Sequence, residues 1–164
     1  MKIFTDLKND FSIFKNEKVN LQQIQNLLTE SQSIETAFNE NSSQFIIADK
    51  SLNEELFNKM VNCLAEQDQT LAKSASVLII NLARKNFLKT GKPNNYSFYN
   101  NALVIADFQK KSAEIGITVR PIFNFSRFMV LKRFKLPVSV DVVNFLAVGI
   151  LENQTQIEKD INLN

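Results

Sequence analysis

The chain has no histidine and no tryptophan, one cysteine, three glycines and three prolines in 164 residues. Without histidine there can be no Ser-His-Asp or Cys-His nucleophilic pair, and most zinc and non-haem iron sites lose their usual ligand. Three glycines, at positions 91, 116 and 149, cannot write a P-loop or a GxGxxG turn. A lone Cys63 excludes an internal disulfide framework. No apolar run approaches the roughly 20 residues of a membrane span, and the opening "MKIFTDLKNDF" lacks the continuous apolar stretch of a secretory signal. A net charge of +2 provides no field to recruit nucleic acid or an anionic membrane. The expectation is a reduced, cytoplasmic, soluble protein without nucleic-acid, membrane or metal partners. Any enzymatic chemistry would fall to carboxylates, to lysines or to a bound cofactor.

What is present is core. Hydrophobic residues make up 45% of the chain and charged residues 22%, the balance of a globular protein rather than a disordered one. With no internal repeat and no low-complexity linker, residues 1–164 read as one domain, of which 151–164 form a polar C-terminal tail. Asn20 with Gln23 has capping-box spacing and opens a helix in which Leu21, Ile24, Leu27 and Leu28 share a face. "QFIIAD" (44–49) reads as a short buried strand. Ser51 with Glu54 predicts a second capped helix, its apolar face formed by Leu56, Met60, Cys63 and Leu64. "SVLIINL" (76–82) suits a central strand, and "KTGKPNN" (89–95) is a loop.

From about Ser97 to Ile115 the pattern is a long helix with Gly116 in the C′ position. Its first part, "FYNNALVIADF", is apolar over more than one face, which predicts central burial or a dimer interface. "ITVRPI" (117–122) is a strand that Pro121 confines to a sheet edge or terminates. "SRFMVLKRF" (126–134) reads as a short helix and "VDVVNFLAVGI" (140–150) as the last strand. The resulting order, α-β-α-β-α-β-α-β, predicts a layered α+β or α/β domain.

Few residues stand out as chemical. Glu54 and Glu55, and the isolated Asp10, Asp107 and Asp141, show no spacing that forces two acids together, so they read as exposed helix faces. Cys63 falls on an apolar helix side and reads as a small core residue. Arg127, Lys132, Arg133 and Lys135 read as a solvated face rather than a phosphate site, since no aromatic platform interleaves with them. The segment "EIGITVRPIFNFSRF" (114–128) is the unusual one: a helix-ending glycine, a short β-branched run, a proline, then Phe123, Phe125 and Phe128. Plain packing would explain it. So would a flat aromatic ligand lying along this backbone.

Taken in order, four segments resemble the nitroreductase-like FMN-dependent oxidoreductases, of which the chain looks like a divergent member. "FKNEKVNLQQIQNLLTES" is similar to the family's opening before its first long helix. "IETAFNENSSQFIIADK" resembles the stretch alanine-proline-serine-serine-x-asparagine-x-glutamine-proline-tryptophan before the first strand. "YNNALVIADFQKKSAEIGITVRPIFNF" looks like the central helix, its terminating glycine and the proline-led flavin loop, and "VNFLAVGI" like the closing strand. The resemblance implies a nitroreductase-like α+β fold, a mixed, mostly antiparallel sheet flanked by helices, assembled as a homodimer.

It also implies a site. Pro121, Ile122, Phe123 and Asn124 would occupy the loop whose backbone N–H groups face the isoalloxazine ring, with Phe123, where the family has small or polar residues, either stacking on the ring or filling its pocket. The family's arginine-x-serine-x-arginine (or lysine) motif aligns with Lys8, Asn9, Asp10, Phe11 and Ser12. Lys8 keeps one charge but not arginine's fork, Asp10 adds a negative charge, and Ser12 lacks the second cation. In the second motif Asn39 is retained, Glu35 replaces proline, and Asn41, Ser42 and Ser43 replace glutamine, proline and tryptophan; Lys159 is the candidate late phosphate-binding cation. The implied function is FMN-dependent transfer of electrons from NAD(P)H to a nitro compound, quinone or similar acceptor, with no side chain required as catalytic acid or base. The alternative is a degenerate, non-catalytic dimer of the same fold that serves as a binding or regulatory module.

Overall fold

The computed structural model describes residues 13–37 and 40–152. Nine elements follow one another: α1 (Leu21–Gln32), β1 (Ser43–Asp49), α2 (Glu54–Val61), α3 (Glu66–Ser74), β2 (Val77–Arg84), α4 (Ser97–Glu114), β3 (Thr118–Ile122), α5 (Arg127–Arg133) and β4 (Val140–Gly149). The strands form one sheet in the order β1-β2-β4-β3. All three pairings are antiparallel, in keeping with the mostly antiparallel sheet expected from the sequence, and the described residues contain no parallel pair.

Strand periodicity divides the core in two. Leu78, Ile80 and Leu82 of β2 point to one face, where Phe57, Met60 and Val61 of α2, Ala72 of α3 and Val130 of α5 meet them. Val77 and Ile79 point to the other, against Ile24 and Leu28 of α1 and Ile105 and Phe108 of α4. A strand buried on both sides must be apolar at successive positions, which accounts for the continuous run "SVLIINL". The edge position of β3 fits Pro121, which has no N–H to offer a further strand.

Several helix ends are set by their sequences. Asn20 Oδ1 accepts from Gln23 N at 3.2 Å and starts α1. The second helix starts differently from expectation: Asn53, not Ser51, is its cap, with Oδ1 accepting from Leu56 N at 3.0 Å. Ser51 instead donates its hydroxyl to Asp49 Oδ1 at 2.8 Å, in the turn that leaves β1. Cys63 and Leu64 are buried as expected but lie beyond the last residue of α2. At the far end of α4, Gly116 N donates to Ala113 O and Ile117 N to Ser112 O, at 3.0 and 2.9 Å. That double bond requires a left-handed residue, and Gly116 supplies it at φ 77°. Gly116→Ala should lower the unfolding free energy by about 1 kcal/mol, read as a shifted denaturant midpoint at unchanged slope. An unshifted midpoint would mean that this cap is not what fixes the turn from α4 into β3.

Candidate functional site

The antiparallel register between β2 and β4 slips once. Asn81 pairs with Asn144, but its neighbour Leu82 pairs with Val142, leaving Val143 as an extra residue on β4. This bulge reverses the strand's alternation. Val142 and Phe145 belong to the α2/α5 side of the sheet, whereas Leu146 belongs to the α4 side, and Val143 and Asn144 line a cavity there. Bulges re-aim side chains at a cost to regular pairing, and this one places two successive residues on the same cavity wall.

The cavity measures about 250 Å³ and lies between α4 and the ends of β3 and β4. Phe98, Ala102, Ile105 and Gln109 come from α4, and Pro121 and Phe123 from the opposite side. Beneath it is a buried amide cluster. Asn81 Nδ2 donates to Asn101 Oδ1 and to Asn144 Oδ1, both at 2.9 Å. Asn101 Nδ2 donates back to Asn81 Oδ1 at 2.7 Å and to Ser43 Oγ at 3.1 Å. Asn81 and Asn101 are each 1% exposed and Asn144 5%. Burying three amides beside Leu, Ile and Phe is tolerable only because they satisfy one another. Asn100, one residue earlier on α4, accepts from Ala37 N at 2.9 Å and donates to the carbonyls of Ala37 and Glu40, fastening that segment to the first turn of α4.

Of the residues the sequence nominated, Pro121 and Phe123 line this cavity. Ile122 and Asn124 do not. Extended backbone sends alternate side chains to opposite sides, so Ile122 is buried in the core on the other face. Asn124 is held by α3: its carbonyl accepts from Ala65 N at 2.8 Å, and its Nδ2 donates to Asp68 Oδ2 at 2.9 Å. Any contribution of these two to a ligand in the cavity is therefore limited to backbone. Phe123 is 65% exposed, at the cavity's rim. Asn41 joins the end of α1 to the start of β1, donating to Gln32 O and accepting from Ser43 N, each at 2.8 Å. Lys8, Asn9, Asp10, Ser12, Asn39 and Lys159 lie outside the described residues. The amides Asn81, Asn101, Asn144 and Gln109 were not nominated. Their signal was an asparagine set inside each apolar run, "LIINLA", "NNALVI" and "VVNFLA".

The other candidates resolve into structural roles. Cys63 is buried, and burial pushes its thiol up from the ordinary range, opposed in part by Arg133 and Lys59. Arg127 pairs with Asp141, which also lies 3.5 Å from Lys85 Nζ, so Asp141 is a strand residue in an ion pair rather than part of a helix face. Lys132 stands 5.7 Å above the Phe128 ring. Asp107 is held below the usual carboxylate range, first by its hydrogen bond from Lys111, one turn along α4. Among the described residues no group of three His, Cys, Asp or Glu could hold a metal ion, and no helix is long and apolar enough to cross a membrane.

No family model and no curated protein matches the sequence. Solved structures do match the fold. An FMN-containing oxidoreductase superimposes with a TM-score of 0.76 at 20% identity, over 85% of this chain and 71% of that one. An FMN-dependent nitroreductase from Clostridium difficile R20291 gives 0.69 at 16% identity, over 87% and 82%. A nitroreductase family protein from Clostridium novyi NT gives 0.70 at 12%, over 90% and 84%. The chain has the nitroreductase-like α+β fold.

Proposed function

We propose that the chain is an FMN-dependent oxidoreductase that takes electrons from NAD(P)H and passes them to a nitro compound, quinone or similar acceptor. The observation that carries this reading is the cavity: apolar walls over an amide floor, on a fold shared with an FMN-containing oxidoreductase and an FMN-dependent nitroreductase. Such a lining fits a planar ring bearing carbonyl groups. FMN, when bound, supplies the electron-transfer chemistry, so the chain needs only to bind, orient and shield it. Pro121 and Ile105 would flank the ring and Phe123 would cover it from solvent. No described lining residue is charged, so the phosphate falls to the opening segment, with Lys8 as cation and Asn9, Asp10 and Ser12 beside it, and to Lys159. Asn41 follows Glu40, whose carbonyl Asn100 holds, and Asn39 is proposed as a contact from the resemblance alone.

We further propose a homodimer in the cytoplasm, with Phe98 and Tyr99 of α4, both exposed in the single chain, covered by the second copy. Light scattering should then give twice the chain mass; a monomer at micromolar concentration would remove the dimer from the account.

FMN affinity is the test of the cofactor. With Asp10 near the phosphate and no cation at Ser12, protein purified without added flavin should be only partly loaded. Ser12→Arg should tighten binding by about 1–3 kcal/mol, the contribution of one charge-assisted contact. Phe123 sits at the rim and leaves the space below it open, so Phe123→Gly should weaken binding rather than strengthen it. A visible-absorbance titration reads all three proteins. No spectral change at millimolar FMN in any of them would remove the flavoenzyme reading and favour the non-catalytic binding module.

A further inference from the structure

We infer that Asn144 is the residue by which this cavity selects its ligand, donating from Nδ2 to a carbonyl oxygen on a flat heteroaromatic ring. The inference rests on the cavity proposed above for the flavin ring, and it extends to any ligand of that chemistry.

Asn144 is 5% exposed and lines the cavity, and no described residue accepts a hydrogen bond from its Nδ2. Its other amide atom is committed: Oδ1 accepts from Asn81 Nδ2 at 2.9 Å. Asn81 is fixed in turn, because its Oδ1 accepts from Asn101 Nδ2 at 2.7 Å, and Asn101 Nδ2 is itself fixed by donating to the Leu82 carbonyl at 3.3 Å, a group that can only accept. A lone buried asparagine could turn its amide over and offer either an oxygen or a nitrogen. Here the chain from the Leu82 carbonyl through Asn101 and Asn81 to Asn144 permits one orientation, with oxygen inward and N–H₂ toward the cavity. Turning it would set Asn144 Nδ2 against the Asn81 donor.

The bulge at Val143 is what brings this group to the cavity. Without the extra residue, Asn144 would share a face with Val142 and point into the α2/α5 core. With no acceptor for Nδ2 among the described residues, a cavity ligand that supplies one is preferred over one that cannot. The walls set the rest of the specificity. Phe98, Ile105, Pro121 and Phe123 accept a flat apolar body, and the lining has no charge to hold an ionic one. Gln109 donates Nε2 to Val119 O at 3.2 Å, which leaves its Oε1 as an acceptor for a ring N–H. Asn81 and Asn101 are positioning residues in this scheme, and Asn144 makes the contact.

A matched pair of probes separates this inference from the flavin reading. 2-Quinolinone and indole are both flat bicycles with a ring N–H, and only 2-quinolinone carries an acceptor, its carbonyl. Ligand-observed NMR on the wild-type chain should show 2-quinolinone binding about fivefold more tightly, the effect of one neutral hydrogen bond. Asn144→Asp keeps the size and the bond from Asn81 but presents an acceptor to the cavity, so the preference should vanish or reverse. Equal affinities in the wild type, no binding of either probe, or a preference that survives in the aspartate variant would each overturn the inference. The wild-type comparison stands even if that variant does not fold. Lumiflavin completes the design. If it fails to bind while the quinolinone preference holds, the flavin assignment falls and Asn144 keeps its role. If it binds equally well to wild type and N144D, the flavin assignment survives and the role of Asn144 does not.

Discussion

Phe145→Ala is expected to lower the unfolding free energy by about 3–5 kcal/mol, a large share of what holds a domain of this size together. Phe145 is fully buried on β4, next but one to the bulge. Its ring meets Phe125 at a centroid distance of 5.4 Å and an angle of 55°, a tilted pair worth about 0.5–1.5 kcal/mol beyond the area it hides. It packs in the same cluster as Ile122 and Val130, so its loss opens a cavity where β3, β4 and α5 meet. These elements are interlocked by regular structure and cannot collapse to refill the space. Urea unfolding followed by far-UV circular dichroism gives the number. A loss below 1 kcal/mol would show that this junction is not packed as described.

The second large effect should come from Asn81→Leu, a change of similar size that removes every polar atom from the hub of the amide cluster. Asn101 keeps partners for its Nδ2 in Ser43 Oγ and Leu82 O. Asn101 Oδ1 and Asn144 Oδ1 lose the donor recorded for them, and each buried acceptor without a donor costs about 1–3 kcal/mol. The single variant should therefore lose about 2–6 kcal/mol. Changing Asn81, Asn101 and Asn144 to leucine together should recover much of that loss, because removing both ends of a buried hydrogen bond is far less costly than removing one. Chemical denaturation of the two proteins under one set of conditions decides it. If the triple variant is the less stable by several kcal/mol, the cluster matters through shape rather than through satisfied polarity.

How much of this could be read in advance depended on how local the cause was. The long helix and its end at Gly116 were legible because a C′ glycine fixes a turn within five residues, whatever lies beyond. The edge position of β3 followed from Pro121 alone. Helix α3 was missed, and its sequence explains why. "EQDQTLAKS" buries only Ala72, and Ala65 before it makes no side-chain cap, so neither periodicity nor capping marks it. Asn53 took the capping role assigned to Ser51 because Asp49 captured Ser51 first. The cavity was half legible. Composition drew attention to the segment and the resemblance nominated Pro121 and Phe123 within it, but the bulge at Val143 depends on register between strands about sixty residues apart, which no local pattern contains. The amide cluster joins α4, β1, β2 and β4, and it emerges only when those elements are assembled.

The central claim, electron transfer through a flavin held by this chain, is tested most directly by following a bound flavin through one turnover. Protein reconstituted with FMN and freed of excess cofactor is mixed anaerobically with NADH or NADPH, and the flavin absorbance band is recorded before and after a quinone or nitroaromatic acceptor is added. The account predicts bleaching by at least one of the two nicotinamides and recovery of the band with the acceptor. A protein that retains FMN but whose flavin neither nicotinamide bleaches, or that retains none, would contradict it.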